Sequence, residues 1–268
     1  MPLHVERRER VAVLTLDDPD RRNALTAGLV QEIVTGVDRL EDDEEIGALV
    51  VTGAPPAFCS GADVGALGAV SAENEDRGSL PLIYEGFLRF SRCTLPTVAA
   101  VNGPAVGAGL NLALACDIRV ASPAARFDCR FARIGLHPGG GHTRLLTEAV
   151  GPQAAAAMVL AGESPNGERA AAIGLAWTCV DDTDLLDEAT RLAALAADLP
   201  RELARQVKAS LRETPRLASL DDAVALELER QQWSIEQGFF AEQRAKALLG
   251  ITERLHWQDG RGPHRSRL

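Results

Sequence analysis

The sequence predicts a mixed α/β protein, and two observations carry that prediction. In the first half of the 268 residues, short β-type runs alternate with helical patterns. From Gly151 onward the pattern is helical, apart from a strand-like run, WTCVDD, at 177–182. Apolar residues make up 46% and charged residues 25% of the chain, which favours a globular protein over a disordered or membrane-spanning one. A chain of this length buries a sizeable core in one or two domains.

The first elements follow in chain order. LHVERRERVAVLTLDD at 3–18 predicts a hairpin, because apolar residues return after a charged turn. TAGLVQEIVTGVDRLEDD at 26–43 predicts an amphipathic helix with Thr26 as its N-cap. IGALVVTG at 46–53 is continuously apolar, as expected of a strand that is covered on both faces. A loop follows, and then a helix is predicted through Tyr84 to Arg92.

Charge and composition argue against several classes of protein. A formal net charge of −10 disfavours nucleic-acid binding, which needs a basic patch or stripe. No apolar run of about 18 residues is present and the N-terminus is charged, so neither a membrane span nor a secretory signal is predicted. The five cysteines contain no C-x-x-C pair, which indicates thiols in a reducing, cytoplasmic setting, with Cys59 as a small buried filler. No cluster has the spacing of metal ligands, so no metal is expected.

Two strand-to-helix turns are rich in glycine. In one, the strand-like PTVAAV at 96–101 leads through Gly107-Ala108-Gly109 into an apolar helical pattern. In the other, the strand at 46–53 leads to Phe58-Cys59-Ser60-Gly61-Ala62-Asp63, with Asp63 placed to cap a helix. Glycine in a turn either supplies a positive φ or lets another group approach the backbone closely. Two such turns can present two backbone N–H groups to one carbonyl oxygen, which is the geometry of an oxyanion hole.

A dinucleotide-binding turn is the alternative interpretation of these glycines. Gly103-x-x-x-Gly107-x-Gly109 has the spacing that short-chain dehydrogenases use at a helix N-terminus. Three observations oppose it. The motif lies far into the chain. The acidic residue expected about 20 positions later is not in place, because Asp117 comes too early and Asp128 follows a second strand. The single tyrosine, Tyr84, precedes the motif without a lysine four positions on. A redox nucleotide is therefore not expected.

The joint set of motifs resembles the crotonase, or enoyl-CoA hydratase/isomerase, superfamily. FCSGAD pairs with VNGPAVGAGLNLALACDIRVAS and precedes IGLHPGGGHTRLL, while PDRRNAL near the start and FFAEQR near the end fit the same pattern. The resemblance extends from about Val11 to Arg244, and the motifs are specific as a set. It implies an α/β fold of the crotonase type, a spiral of ββα turns with a C-terminal helical trimerisation region. It also implies a CoA thioester as substrate and a place in fatty acid metabolism.

The resemblance assigns roles to individual residues. The thioester oxygen is expected at the backbone N–H groups of Ala62 and Ala108; Ala108 stands where many relatives have glycine, and it keeps the N–H. Arg21 and Arg22 match the segment that meets the CoA moiety, although solvation explains two arginines before a helix equally well. The positions that match substrate-binding segments are Arg21, Arg22, Ala24, Ser60, Gly61, Asp63, Val64, Gly107, Gly109, Pro138 and Gly139.

The catalytic positions are where this sequence departs from the family. Hydratases of the family use two glutamates as general acid and general base around a water. One position corresponds to Asn111, and aligning RFDCRFARIGLHPGG places Phe131 at the other. A neutral amide cannot act as the base, and a phenylalanine has no proton to give. Both carboxylates are therefore replaced.

Three residues are candidate substitutes for the missing acid and base. Asp128 lies three residues before the second position, His137 precedes Pro138, and His142 opens the helix after the three glycines at 139–141. A histidine with a near-neutral pKa in an acyl pocket is suited to proton transfer. The structural interpretation is favoured for both histidines, and on that interpretation His142 is only a surface residue in the first turn of its helix.

The patterns predict three parts along the chain. Residues 1–200 form the ββα spiral that binds acyl-CoA, residues 201–258 form a C-terminal helical oligomerisation region, and residues 259–268 form a disordered tail. Apolar residues within 217–249 exceed what one helix can bury, which predicts a homotrimer or a dimer of trimers. The polar stretch at 68–78 is the expected mobile segment, and its acidic side chains are further candidates for proton transfer.

Two function classes stay open from the sequence. One is an enzyme that acts on an acyl-CoA through an enolate held in the oxyanion hole, by hydration, isomerisation, hydrolysis or carbon–carbon cleavage. The other is a non-catalytic acyl-CoA carrier or sensor with the same fold. The enzyme is favoured, because an oxyanion hole has clear value only where charge develops. CoA is then part of the substrate, and no further cofactor is expected.

Overall fold

The strands and helices that the sequence predicts within the described residues are present in a mixed α/β structure. The computed structural model describes residues 2–62 and 80–246. Its strands are β1 (Leu3–Arg8), β2 (Val11–Leu16), β3 (Ala48–Gly53), β4 (Thr97–Val101), β5 (Pro104–Val106), β6 (Ile118–Ala121), β7 (Arg126–Asp128) and β8 (Thr178–Cys179). Its helices are α1 (Ala27–Asp42), α2 (Leu80–Arg92), α3 (Ala108–Ala115), α4 (His142–Val159), α5 (Gly167–Ala172), α6 (Leu185–Ala197), α7 (Arg201–Glu213) and α8 (Leu220–Glu236), and residues 238–246 are helical as well.

Six strands form the main sheet, in the order β1-β2-β3-β4-β6-β8. The predicted hairpin is confirmed, since β1 and β2 pair antiparallel, and every other pair in this sheet is parallel. All six residues of β3 are buried, as its continuous apolar run predicts for a central parallel strand. A second, two-stranded parallel sheet joins β5 to β7. These two strands are only three residues long, and the sequence did not predict them.

Both faces of the main sheet are covered, which explains its apolar strands. One face of the sheet packs against α1, α2 and α3, and the other packs against α6. Alternate residues of each strand point to opposite faces, so both sets of residues are buried. The N-cap of α1 is Thr26, whose Oγ1 accepts a hydrogen bond from the Leu29 N–H at 3.2 Å, as predicted. The side of α6 that faces the sheet carries small residues, Ala189 and Ala193 among them, which allow the helix to approach closely.

The helix α2 is fastened to α1 at its C-terminal end. Arg89 Nε donates to Asp38 Oδ1 at 2.6 Å, and its guanidinium also pairs with Glu41. Glu41 accepts from the Thr94 N–H at 2.5 Å as well. These hydrogen bonds outweigh partial burial and hold the pKa of Glu41 below its ordinary value. The C-terminal end of α2 is therefore fixed against α1, while its N-terminal end lies near the glycine turns.

The described residues divide into two compact units, with the boundary between Arg205 and Gln206. In the second unit, Arg230 donates to Ser210 Oγ at 2.8 Å and pairs with Glu213, and Trp233 packs against Phe239 with ring centroids 6.0 Å apart. No residue of α8 is buried. Within residues 2–62 and 80–246, no helix combines the length and apolar character that a bilayer crossing requires.

Several expectations fall outside the described residues. These are the helix after FCSGAD, the cap at Asp63, the substrate contact at Val64, the mobile segment at 68–78 with its acidic side chains, and the disordered tail at 259–268.

Candidate active site

The two glycine-rich turns lie side by side and are joined through their backbones. Cys59 pairs with Ala105 of β5: the Cys59 N–H donates to Pro104 O at 3.1 Å, and the Val106 N–H donates to Cys59 O at 3.0 Å. A Cβ atom at Gly109 would overlap Cys59 O, so this close approach requires glycine. The Cys59 side chain is fully buried, and burial raises its thiol pKa to about 12. The predicted role of a small buried filler is confirmed.

The backbone N–H groups of Ala62 and Ala108 come together at this junction. Gly61 has φ 99°, and a Cβ placed on it would lie 3.5 Å from the Ala108 nitrogen, which shows how closely the turns approach. Ala108 is the first residue of α3 and follows Gly107 at φ 53°, so its N–H has no acceptor within the helix. Within the described part of the chain, neither N–H donates to another backbone carbonyl. Both donors are thus available to a carbonyl oxygen.

A cavity of about 150 Å³ opens at this pair of donors. Its lining combines residues predicted for the site with a wall from α2 and from the segment at 130–139. Within residues 2–62 and 80–246, the lining residues are Ser60, Gly61, Ala62, Leu80, Ile83, Tyr84, Val106, Gly107, Ala108, Asn111, Arg130, Phe131, Ile134, Leu136, His137 and Gly139. None of these is an aspartate or a glutamate. The cavity is mainly apolar, as suits an acyl chain.

Asn111 and Phe131, which the family resemblance places at the two glutamate positions, both line this cavity. Phe131 presents an aromatic ring, and a Cβ placed on Gly107 would lie 3.6 Å from it. Asn111 is only 1% exposed, and its Nδ2 donates to Gly139 O at 3.0 Å. Both side chains line the cavity, and neither carries an ionisable group.

His142 is fully buried, which corrects the expectation of a surface residue. Its Nδ1 lies 2.6 Å from Asn111 Oδ1, its Nε2 lies 3.2 Å from Cys129 Sγ, and its ring meets Phe131 edge-on with centroids 4.9 Å apart. The first position of a helix is usually exposed, but α4 begins in the glycine loop that folds back over α3. Burial lowers the pKa of His142 to about 4, so the imidazole is neutral at neutral pH.

Cys129 is neutral for the same reason. Burial, reinforced by nearby Asp128, raises its thiol pKa to about 12. Because the pKa of His142 is lowered and that of Cys129 is raised, the two groups have no tendency to form an imidazolium and a thiolate. A cysteine nucleophile requires this ion pair. The contact is a hydrogen bond between neutral groups.

The other two candidate proton donors have partners of their own. Asp128 is buried, and its carboxylate accepts from the Arg130 N–H at 2.8 Å and from the Arg130 guanidinium at 2.7 and 3.1 Å. It is absent from the cavity lining, whereas Arg130 lines it. His137 is exposed at the cavity, with Nδ1 at 2.7 Å from Pro138 O. Pro138 itself is not among the described lining residues.

The segment predicted to meet CoA lies beside the Ser60 turn. The Ser60 N–H donates to Arg22 O at 2.9 Å, its hydroxyl donates to Arg21 O at 3.0 Å, and the Leu25 N–H donates to Gly61 O at 2.8 Å. The side chain of Arg21 lies 3.5 Å from Asp18, and Ala24 is buried. None of Arg21, Arg22 and Ala24 lines the cavity, so the structure places this segment next to the site through its backbone.

The sequence did not identify the wall that α2 contributes. Leu80, Ile83 and Tyr84 line the cavity on one face of that helix. A Cβ placed on Gly139 would overlap the Tyr84 hydroxyl, so the glycine loop packs directly against this wall. The i, i+3 and i+4 spacing in the sequence places these three residues on one face of a helix. It does not indicate which part of the protein that face contacts.

The buried imidazole predicts a specific acid sensitivity of the fold. The pKa of His142 is lowered from 6.5 to about 4 by folding, so the unfolded chain binds this proton more tightly. The resulting stability is fully present above pH 6.5 and is lost as the pH falls towards 4, by about 3 kcal/mol in total.

The measurement is the free energy of unfolding by denaturant from neutral pH to about pH 4, for the wild type and for His142→Asn. The wild type should lose about 3 kcal/mol more than the variant over this range. His4→Asn, which removes an exposed imidazole from β1, is the control for losing a histidine as such. Parallel curves for the wild type and His142→Asn would contradict the prediction.

Comparison with known proteins agrees with the geometry. The family model for enoyl-CoA hydratase/isomerase matches residues 6–259. A probable enoyl-CoA hydratase of Mycobacterium tuberculosis, EchA14, is 48% identical over 244 residues, which cover 89% of this chain and 94% of the relative. The 2,3-dehydroadipyl-CoA hydratase of Escherichia coli is 32% identical over 254 residues, which cover 95% of this chain and 92% of the relative.

A solved structure of a related protein has the same fold as this chain. The crystal structure of a probable enoyl-CoA hydratase/isomerase from Mycobacterium abscessus matches with a TM-score of 0.85 at 30% identity, covering 93% of this chain and 97% of that one. The family match spans both glycine-rich turns, the cavity between them and most of the helical C-terminal part. The chain is a member of the enoyl-CoA hydratase/isomerase family.

Proposed function

We propose that this protein is an enzyme that binds an acyl-CoA thioester and stabilises its enolate through the backbone N–H groups of Ala62 and Ala108. The support is geometric, because both N–H groups lack backbone acceptors among the described residues and both residues line one apolar cavity. The requirement for CoA as part of the substrate, without a further cofactor, stays a prediction, and so does the cytoplasmic location. All five cysteines are described, and none forms a disulfide.

One observation separates this proposal from ordinary hydration of simple 2-enoyl thioesters. The described lining of the cavity contains no carboxylate, and the positions of the family's two glutamates hold Asn111 and Phe131. Asp128 is held by Arg130, and His142 is buried behind Asn111. Hydration needs a proton acceptor and a proton donor on the same side of the double bond. We therefore propose that the chain uses the enolate for another reaction of the family, such as isomerisation, hydrolysis or carbon–carbon cleavage.

The second candidate is a non-catalytic acyl-CoA carrier or sensor. The neutral, apolar surface around the reacting carbon favours it, since Phe131 and Asn111 hold no proton to exchange. Turnover separates the two candidates directly. A screen of acyl-CoA thioesters that finds a product supports the enzyme, whereas binding of several thioesters without any product supports the carrier.

The first prediction concerns the Ala108 donor. Proline is tolerated at the first position of a helix but has no N–H, so Ala108→Pro should delete the donor while α3 is retained. In the wild type, the carbonyl stretch of bound, ¹³C-labelled butyryl-CoA should lie at a lower infrared frequency than that of the free thioester. Ala108→Pro should remove most of this shift and weaken binding by about 3- to 10-fold, the worth of one hydrogen bond.

Ala108→Gly is the matched control, because it alters the side chain and keeps the N–H. It should preserve the infrared shift. An unshifted carbonyl in the wild type would refute the role of the two donors.

The second prediction concerns hydration. The unmodified chain should hydrate crotonyl-CoA at the limit of detection, since each missing acid or base costs about 10²- to 10⁴-fold in rate. The double variant Asn111→Glu with Phe131→Glu should raise the rate measurably by restoring two carboxylates. The matched double variant Asn111→Gln with Phe131→Gln has similar volume without charge and should not. Rapid hydration by the unmodified chain would contradict the proposal.

The third prediction concerns assembly, for which we propose a homotrimer or a dimer of trimers. In the second unit, Leu220, Val224 and Leu228 follow one another at i, i+4 spacing along α8, and each is more than half exposed, with Leu220 at 79%. An apolar stripe of this kind marks an interaction surface. Sedimentation equilibrium should give a trimer or a hexamer, and Val224→Glu with Leu228→Glu should shift it to smaller species.

Leu160→Glu is the control for that experiment, because Leu160 is an isolated exposed apolar residue of the first unit at 81% exposure. It should leave the assembly intact. A stable wild-type monomer at micromolar concentration would exclude the proposed assembly.

A further inference from the structure

Asn111 makes two hydrogen bonds, which leave one hydrogen of its side-chain amide without an acceptor among the described residues. Its Oδ1 lies 2.6 Å from His142 Nδ1, and its Nδ2 lies 3.0 Å from Gly139 O. A side-chain amide nitrogen carries two hydrogens. One points to Gly139, and within residues 2–62 and 80–246 the other has no acceptor. The residue lines the cavity, although it is 99% buried from bulk solvent.

The orientation of this amide follows from its neighbours. A backbone carbonyl only accepts, so the atom that faces Gly139 O must be the nitrogen, and the oxygen must face His142. His142 Nδ1 must then carry the hydrogen. In a neutral imidazole Nε2 is consequently an acceptor, and the Cys129 thiol, 3.2 Å away, donates to it. A directed chain of hydrogen bonds runs from Cys129 through His142 and Asn111 to Gly139.

Asn111 lines the same cavity as Ala108, where the proposed function places the thioester. Asn111 is three residues after Ala108 on α3, so both are on the same side of that helix, about 5–6 Å apart between Cβ atoms. Since both residues line one cavity, an acyl group whose thioester oxygen lies at the Ala108 N–H can place an oxygen on carbon 3 beside the Asn111 amide. Phe131 and Ile83 are apolar members of the same lining, and the Tyr84 hydroxyl lies beside Gly139.

We propose that His142 is a positioning residue that fixes Asn111 with one amide hydrogen facing the cavity, and that Asn111 donates this hydrogen to an oxygen on carbon 3 of the bound acyl thioester. The preferred ligands are thioesters with an acceptor oxygen at that carbon, such as 3-oxoacyl groups, over plain acyl groups of equal length. This inference rests on the proposed function, because it requires an acyl thioester in the cavity.

The test compares the affinities of acetoacetyl-CoA and butyryl-CoA, measured by titration calorimetry, and uses their ratio as the readout. The wild type should prefer acetoacetyl-CoA by about 3- to 10-fold, the worth of one hydrogen bond. Asn111→Leu has no amide and should abolish the preference.

Two substitutions of His142 separate positioning from simple packing. His142→Asn keeps a side-chain N–H near the place of Nδ1 and should retain most of the preference. His142→Gln places its amide nearer the position of Nε2, leaves Asn111 Oδ1 without its donor, and should lose the preference. A role in packing alone would give both variants the same ratio.

The outcomes distinguish this inference from the proposed function. If butyryl-CoA does not bind the wild type, the proposed function fails and the inference fails with it. If both thioesters bind with equal affinity, or if His142→Gln keeps the wild-type ratio, only the inference is overturned. Should His142→Gln not fold, ¹⁵N spectra of the histidine-labelled wild type decide. A hydrogen on Nδ1 of His142 supports the inference, and a hydrogen on Nε2 overturns it.

Discussion

The site depends on one backbone contact, the parallel pairing of Cys59 with Ala105 of β5. Two hydrogen bonds form this pair, and both residues are buried. Breaking the pair would leave buried peptide N–H and C=O groups without hydrogen-bond partners, at a cost of about 1–3 kcal/mol for each group. Because Gly109 has no side chain, α3 can begin directly against Cys59 O. The distance between the Ala62 and Ala108 donors is therefore set by the backbone, which explains why the turns carry glycine and alanine rather than polar residues.

The surroundings of these donors are electrically neutral. His142 and Cys129, with pKa values of about 4 and about 12, both stay uncharged across the neutral range. The one charged side chain in the described lining, Arg130, is neutralised by Asp128. A negative oxygen at the donors would meet no carboxylate in this lining, and like charges in an apolar cavity repel strongly. Under the proposed function, Asn111 and Phe131 at the family's glutamate positions would remove both the groups that transfer protons and a source of repulsion against an enolate.

The sequence predicted the backbone framework better than the side-chain network. The hairpin, the capped helix α1, the buried strand β3 and the two glycine turns follow from local periodicity and from turn chemistry. Nine of the sixteen described lining residues were predicted, from turn chemistry, from the family's motifs and, for His137, from the chemistry of its imidazole. The burial of His142 was missed because it depends on α4 folding over α3, and no local pattern reports on that packing. The α2 wall was missed for the same reason, since a helical stripe does not identify its partner.

The wall and the donors belong to different parts of the chain. Leu80, Ile83 and Tyr84 come from α2, which is fastened at its far end by Arg89, whereas the donors come from turns that are fixed by strand pairing. Substitutions at the near end of α2 can change the shape of the cavity without moving the Ala62 and Ala108 N–H groups. Under the proposed function, acyl preference and reactivity could therefore change independently during evolution. Descendants of one ancestor could accept new acyl chains while the same two peptide groups continued to activate them.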